Sequence, residues 1–247
     1  MNDDRIKNEM QKINPNLSIN SFFCDFSVQD SIRKCADKIK NDLKAIDLLI
    51  NNAGVVNTEY SETIDGIENT FAVNHLGYFL FTNLLLDLVK KESESRIINV
   101  SSAAHHFVKG MQWDDINYKD DFKMGLKAYG QSKLGNILFT KQLAKKLQKD
   151  GVTVNAIHPG GVNTSLGNQN NSLLGRVLKI ILKPFFRSPL KGANTIIYLA
   201  EIDGLSITGA YWVDGRVAKT SHYSKNEAEA EKLWRLSEKL VNQEFDI

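Results

Sequence analysis

Short apolar runs alternate along this chain with longer segments of helical period, and that alternation limits the possible folds more than any other feature. It is the pattern of βα units built on a parallel sheet. The runs that read as strands are SINSFFC at 18–24, IDLLI at 46–50, RIINV at 96–100, VTVNAI at 152–157 and GAYWV at 209–213. Between the first two, Ile32, Cys35, Ala36, Ile39 and Leu43 recur at helical spacing, and Ser27 with Asp30 makes a capping-box-like start. The periodicity predicts further helices over 64–91, 126–150 and 190–201. Ser224 with Glu227 forms a second capping box, opening a C-terminal helix through Leu233, Trp234 and Leu240. No internal repeat is visible. A chain of 247 residues can bury a substantial core, and we expect one α/β domain over 1–247 with a doubly wound parallel sheet.

Composition excludes several classes. The formal net charge is +2, with acidic residues interspersed among basic ones, which argues against a nucleic-acid surface. Cys24 and Cys35 show neither CxxC nor metal-ligand spacing, so no disulfide framework or zinc site is suggested. The N-terminus MNDDRIKNEM lacks the apolar core of a signal peptide, and no run of apolar residues is long enough to read as a membrane span. A cytoplasmic compartment is the default expectation.

Two long loop regions, 102–125 and 159–189, directly follow strands. Open α/β sheets bind ligands beyond the carboxyl ends of their strands, so these loops are the expected pocket walls. The helix expected between them carries Tyr129 and Lys133, four residues apart and therefore on one face. A phenol titrates near 10 and is a poor base at neutral pH; an ammonium beside it stabilises the phenolate. Such a pair can give a proton to a carbonyl oxygen being reduced or take one from an alcohol being oxidised. Ser101 and Ser102 end RIINV at the same edge, where a hydroxyl can hold the reacting oxygen. IDLLI ends in Asn51-Asn52-Ala53-Gly54, small residues that let a flat ligand approach the backbone. VTVNAI ends in His158-Pro159-Gly160-Gly161-Val162-Asn163-Thr164, a second constrained turn. The adjacent His105 and His106 lack spaced partners, so no metal site is expected.

Taken in order, these residues resemble the short-chain dehydrogenase/reductase family. The set is Asp25, the NNAG turn at 51–54, Asn74, Ser102, Tyr129 with Lys133, and PGGVNT at 159–164. Longer strings such as VNHLGYFLFTNLLLDLV, RIINVSSAAHH and LKPFFRSPLKGANTIIYLA resemble its retinol dehydrogenase branch. The resemblance implies a Rossmann-like fold and a hydride-transfer enzyme using NADP(H), or alternatively NAD(H). It implies Tyr129 as acid/base, Lys133 lowering its pKa and binding the nicotinamide ribose, and Ser102 orienting the substrate oxygen. It implies that Asn74 holds a water of the proton relay, with a satisfied core amide as the other reading. Asp25 and Phe26 would lie by the adenine, Asn52, Ala53 and Gly54 along the adenosine ribose, and Pro159, Gly160, Val162 and Thr164 at the carboxamide. The implied substrate is a small lipophilic carbonyl or alcohol: retinal-like, a long-chain aldehyde or a steroid.

One family feature is missing. Dinucleotide folds hold pyrophosphate at a glycine-rich first turn, and none of the 16 glycines forms such a turn here. The first βαβ unit is therefore expected to be absent, and with it the phosphate cradle and the residue that selects NADP over NAD. Strands on either side of the gap should lose ladder partners. Each lost charge-assisted bond to phosphate would cost on the order of 1.5–3 kcal/mol of cofactor affinity. Two expectations follow: an oxidoreductase sequence lacking its N-terminal segment, or an inactive chain that acts as a binding or regulatory protein. The basic amphipathic stretch at 173–187 reads equally as a peripheral membrane contact, for example on the endoplasmic reticulum, or as a substrate lid. The helices at 64–91 and 126–150 resemble the family's dimer-forming pair, so a homodimer is a further expectation.

Overall fold

The structure, a computed structural model, describes residues 3–92, 94–160 and 189–247. The expected contacts of Gly161, Val162, Asn163 and Thr164, and the amphipathic stretch at 173–187, lie outside the described residues. In chain order the elements are α1 (Asp3–Ile13), α2 (Gln29–Asp42), β1 (Leu48–Asn51) and α3 (Asn69–Val89). They continue with β2 (Arg96–Val100), α4 (Leu126–Lys146), β3 (Thr153–His158), α5 (Pro189–Glu201), β4 (Tyr211–Val213), β5 (Arg216–Val217) and α6 (Glu227–Leu240).

The five strands form one sheet in the order β1-β2-β3-β4-β5. The first three pairings are parallel, each joined by a helical crossover, as the alternation requires. The fourth is antiparallel: Asp214 and Gly215, at φ 50° and 71°, turn the chain back in a two-residue hairpin. The sheet is thus mixed at its far edge rather than wholly parallel.

Both faces are covered. Ile97 and Val154 point into the larger core with Leu134 and Leu138 of α4 and Phe79 of α3, while α2 and α6 close that side. Their neighbours Ile98 and Ile157 point the other way, onto Leu199 of α5 and Trp212. Continuous apolar runs such as RIINV are the signature of strands buried on both faces, and each fully buried Ile or Leu side chain adds about 1.5–3 kcal/mol. Arg96, at the start of β2, donates to the carbonyls of Leu199 and Ala200 and so caps the end of α5.

Polar side chains also enter the core. Asn51 and Asn99 lie side by side in the β1–β2 register. Asn51 Nδ2 donates to Asn99 Oδ1 and Thr82 Oγ1, both at 2.8 Å, and Asn99 Nδ2 donates to Thr140 Oγ1 at 2.9 Å. This buried amide ladder ties two strands to α3 and α4 directly beneath the carboxyl edge of the sheet. A one-residue slip would break every bond in it, so it fixes the register at that edge.

Several local expectations are corrected. Residues 18–24 form no strand; Phe22 and Cys24 touch the core while Phe23 is 82% exposed, and β1 pairs only with β2 among the described residues. A strand needs a ladder partner, and this stretch has none. Neither capping box forms. Val28 precedes α2 without a side-chain cap, because the Ser27 hydroxyl bonds Asp25 Oδ1 at 2.6 Å instead. Asn226 caps α6, accepting from Ala228 N and Glu229 N, while Ser224 Oγ donates to Ser221 O. The helix expected over 64–91 begins at Asn69, where the buried Glu68 carboxylate accepts from Thr70 N and Phe71 N. By length and hydropathy α3 could cross a membrane, contrary to the composition reading, but 78% of its most apolar window is packed inside this protein. It is a core helix here.

Candidate active site

The sheet brings four chain segments to one edge. β1 runs out into Asn52-Ala53-Gly54, β2 into Ser101-Ser102, and β3 into His158-Pro159-Gly160. α4 begins beside them, so Tyr129 lies in its first turn and Lys133 one turn further in. Gly125, at φ +69°, permits that start: a β-carbon there would stand 1.9 Å from the Asn57 carbonyl oxygen. Gly130 lets the helix press against the turn at Ala103–Phe107, since its β-carbon would fall 2.8 Å from Ala104 O.

The two serines divide their labour. Ser101 is buried and donates to Lys133 O at 2.7 Å, fastening α4 to the end of β2. Ser102 accepts from Ala104 N at 3.2 Å through its hydroxyl oxygen, and that hydroxyl lies near enough to the Tyr129 phenol to favour its ionised form. With that lone pair engaged, the Ser102 hydroxyl hydrogen is directed towards the phenol oxygen or a reacting oxygen beside it.

Lys133 is 3% exposed. Its Nζ donates to Val100 O at 3.0 Å and lies 5.6 Å from the centroid of the Tyr129 ring and 5.8 Å from that of Tyr78. Burial pulls its pKa down to about 7, since no carboxylate repays the lost hydration. The expected depression of the phenol does not occur: burial pushes Tyr129 above its ordinary 10, opposed only by the neighbouring Ser102 hydroxyl. A neutral phenol is a proton donor, so the ground state suits protonation of a carbonyl oxygen.

Asn74 sits in a π-helical turn, Ala72–Leu76, near the start of α3. Its Nδ2 donates to Val55 O at 2.9 Å and Ser132 Oγ at 3.1 Å, and its Oδ1 accepts from Val55 N at 2.8 Å. Both amide hydrogens are therefore committed to protein atoms, which is the satisfied core amide of the second sequence reading. A water at this point would have to be held by Oδ1 or by the main chain, where a π turn disturbs the helical bonding. Ser132 in turn donates to Tyr129 O at 2.8 Å, so Asn74 braces both the β1 loop and the first turn of α4.

Three contributors were given no role in the site from sequence, although His105 was expected near the substrate loop. Tyr78, fully buried, donates to Ala53 O at 2.7 Å and lies under the Lys133 ammonium. Ser132 is the second, and its place one residue before Lys133 is the only sequence signal for it. His105 is the third; its ring bonds Ser102 O at 2.7 Å. Among the described residues no group of three His, Cys, Asp or Glu is placed to hold a metal ion.

The nicotinamide end of a dinucleotide fits this edge. Gly54 leaves Lys133 approachable: a β-carbon there would stand 3.1 Å from Asn74 Oδ1 and 3.7 Å from Lys133 Nζ. Lys133 is a three-donor ammonium with Val100 O as its protein acceptor. Phe26 packs on Gly77, Tyr78 and Phe81, and so connects to the Ala53 turn through Tyr78. Asp25 Oδ1 accepts from the amide and hydroxyl of Ser27 in an exposed turn. The diphosphate does not find its usual seat among the described residues. The Gln29 amide at the start of α2 donates to Asp65 Oδ2 at 3.0 Å, and α3 and α6 are closed by Glu68 and Asn226.

A sheet edge that gathers a serine, a tyrosine and a buried lysine, under helices on both faces, defines an α/β protein of the nucleotide-binding type. Residues 1–215 match the family model described as enoyl-(acyl carrier protein) reductase. Retinol dehydrogenase 14 of Mus musculus is 40% identical over 222 residues, covering 88% of this chain and 65% of the relative. Retinol dehydrogenase 13 of Homo sapiens is 41% identical over 235 residues, covering 93% and 70%. Among solved structures, an uncharacterised protein of Mycobacterium paratuberculosis superposes with a TM-score of 0.73 at 29% identity, over 98% of this chain and 82% of that one. NADPH-bound carbonyl reductase from chicken fatty liver shares the fold at 21% identity, with a TM-score of 0.61 over 87% and 82%. The chain belongs to the short-chain dehydrogenase/reductase family, on its retinol dehydrogenase-like branch. It spans 65% of the length of the mouse relative.

Proposed function

We propose that this chain is an oxidoreductase that interconverts a lipophilic alcohol with its aldehyde or ketone, using NADP(H) in preference to NAD(H). The observation that carries the reading is the meeting of Ser102, Tyr129 and the buried Lys133 at the carboxyl edge of the sheet, with Lys133 Nζ 5.6 Å from the centroid of the Tyr129 ring. A bound nicotinamide would supply or remove the hydride; the chain's own residues manage the oxygen and its proton.

In the reducing direction, Ser102 donates to the carbonyl oxygen and holds it against Tyr129. Negative charge develops on that oxygen, and the neutral Tyr129 phenol protonates it. The phenolate left behind is stabilised by Lys133, whose ammonium form is present at and below about pH 7. Tyr78 and Asn74 keep the Ala53–Val55 loop in place beneath this triad. Phe107, Met124 and Leu126 are 59%, 50% and 53% exposed and flank the start of α4, which suits an apolar substrate. The retinol for which the similar retinol dehydrogenases are named belongs to the same lipophilic class. Under this reading the stretch at 173–187 would cover the substrate or meet a membrane, and self-association through α3 and α4 stays a proposal.

The test is NADPH-dependent reduction of retinal and of a long-chain aldehyde by the purified protein. Alcohol should form, and Ser102→Ala should lower kcat by roughly 10²-fold or more. An unchanged rate in Ser102→Ala would remove Ser102 from the reaction.

A further inference from the structure

His105 is completely buried, three residues after Ser102. Its Nδ1 lies 2.7 Å from Ser102 O, and its Nε2 lies 3.2 Å from Ser221 N. A carbonyl can only accept and a backbone N–H can only donate. The imidazole is therefore the Nδ1–H tautomer, donating to Ser102 and accepting from Ser221. A second proton on Nε2 would face the Ser221 N–H, so the ring is held neutral. Burial acts in the same direction, lowering its pKa to about 4.

The same carbonyl also accepts from His105 N at 3.2 Å, so one residue pins Ser102 O twice. Ring contacts hold the imidazole in turn: His106 packs on it at 3.9 Å, tilted by 38°, and Tyr211 meets it edge-on at 5.1 Å between centroids. Ser221 belongs to the turn before α6, where Ser224 Oγ and N both bond Ser221 O. His105 thus spans from that C-terminal turn to the peptide that carries the Ser102 hydroxyl.

We propose that His105 is a positioning residue: its Nδ1–H fixes the Ser102 peptide plane, and through it the aim of the Ser102 hydroxyl at Tyr129 and the substrate oxygen. The inference rests on the assigned role of Ser102. Two amide substitutions divide the two bonds. His105→Asn keeps a donor at the δ position and loses the Ser221 contact; His105→Gln keeps an acceptor at the ε position and loses the Ser102 contact.

In long-range ¹⁵N–¹H correlation of histidine-labelled protein, the His105 proton should lie on Nδ1; a proton on Nε2 overturns the proposal. In reduction assays His105→Gln should lower kcat roughly tenfold or more with KM within about twofold, while His105→Asn stays within about threefold of the parent. Equal losses in both variants would mean a merely structural tie and would also overturn it. A further readout needs no turnover. The Tyr129 ¹³Cζ resonance should move in His105→Gln as it does in Ser102→Ala, and should stay in place in His105→Asn. If Ser102→Ala leaves kcat unchanged, the Ser102 role fails; if Ser102→Ala is impaired and His105→Gln is not, the positioning role alone fails.

Discussion

Residues 96–100 and residues 18–24 are both short and apolar, and they end differently. The first stretch pairs with β1 on one side and β3 on the other, with Ile97 and Ile98 buried on opposite faces. The second pairs with no strand, and Phe23 stands 82% exposed. Local preference proposes a strand; only a neighbouring ladder makes it one. The reacting side chains all hang on the paired region. Ser102 follows β2 by two residues, Lys133 grips Val100 O, and the Asn51–Asn99 ladder sets the register beneath them. The unpaired stretch carries Asp25 and Phe26, and only Phe26 reaches the site, by way of Tyr78.

If that contrast is right, substitutions should separate sharply by region. The largest loss is expected at Gly125→Ala, where positive φ and a carbonyl oxygen 1.9 Å from the new carbon should cost about 3 kcal/mol or more in urea unfolding. Asn99→Ala follows, at about 2–3 kcal/mol, because it strands a buried donor of Asn51 and removes the bond to Thr140. Lys133→Met should stabilise. The native Lys133 titrates near 7 against an ordinary 10.5, so between those values the unfolded chain holds a proton that the native one lacks. The parent's stability therefore rises with pH through that window, and the full penalty applies below about 7. The variant should melt roughly 5 °C higher at pH 6, the gap closing towards pH 10; a gap independent of pH would refute the burial account. Phe23→Asp should change stability by no more than about 0.5 kcal/mol, and a larger loss would mean that 18–24 has a partner after all.

The alternation of runs and helical segments made the parallel core legible, and RIINV falls on the strand to the residue because both faces of β2 are buried. The Tyr129–Lys133 spacing likewise survives folding, since four residues on one helix must share a face. What could not be read is what depends on distant neighbours. Ser27 and Ser224 have the right residues for capping boxes, yet their hydroxyls find Asp25 and Ser221 instead. The Asp214-Gly215 pair between YWV and RV was a hairpin signal that went unread. Tyr78 and His105 looked like ordinary core and loop residues, because their partners Ala53 and Ser221 are brought to them only by the sheet. The direction of the Tyr129 shift is hidden from the sequence for a related reason: spacing reveals a neighbouring charge but not the burial of the phenol itself.

The central claim is that Tyr129 protonates the oxygen of a carbonyl undergoing reduction. Tyr129→Phe removes one oxygen atom and leaves Ser102, Lys133 and the Asn99 ladder in place. The most direct measurement is its kcat for NADPH-dependent aldehyde reduction, taken with the cofactor Kd from fluorescence titration. The account expects kcat to fall by about 10³-fold or more, with Kd within about twofold of the parent. A kcat within about threefold of the parent would contradict it.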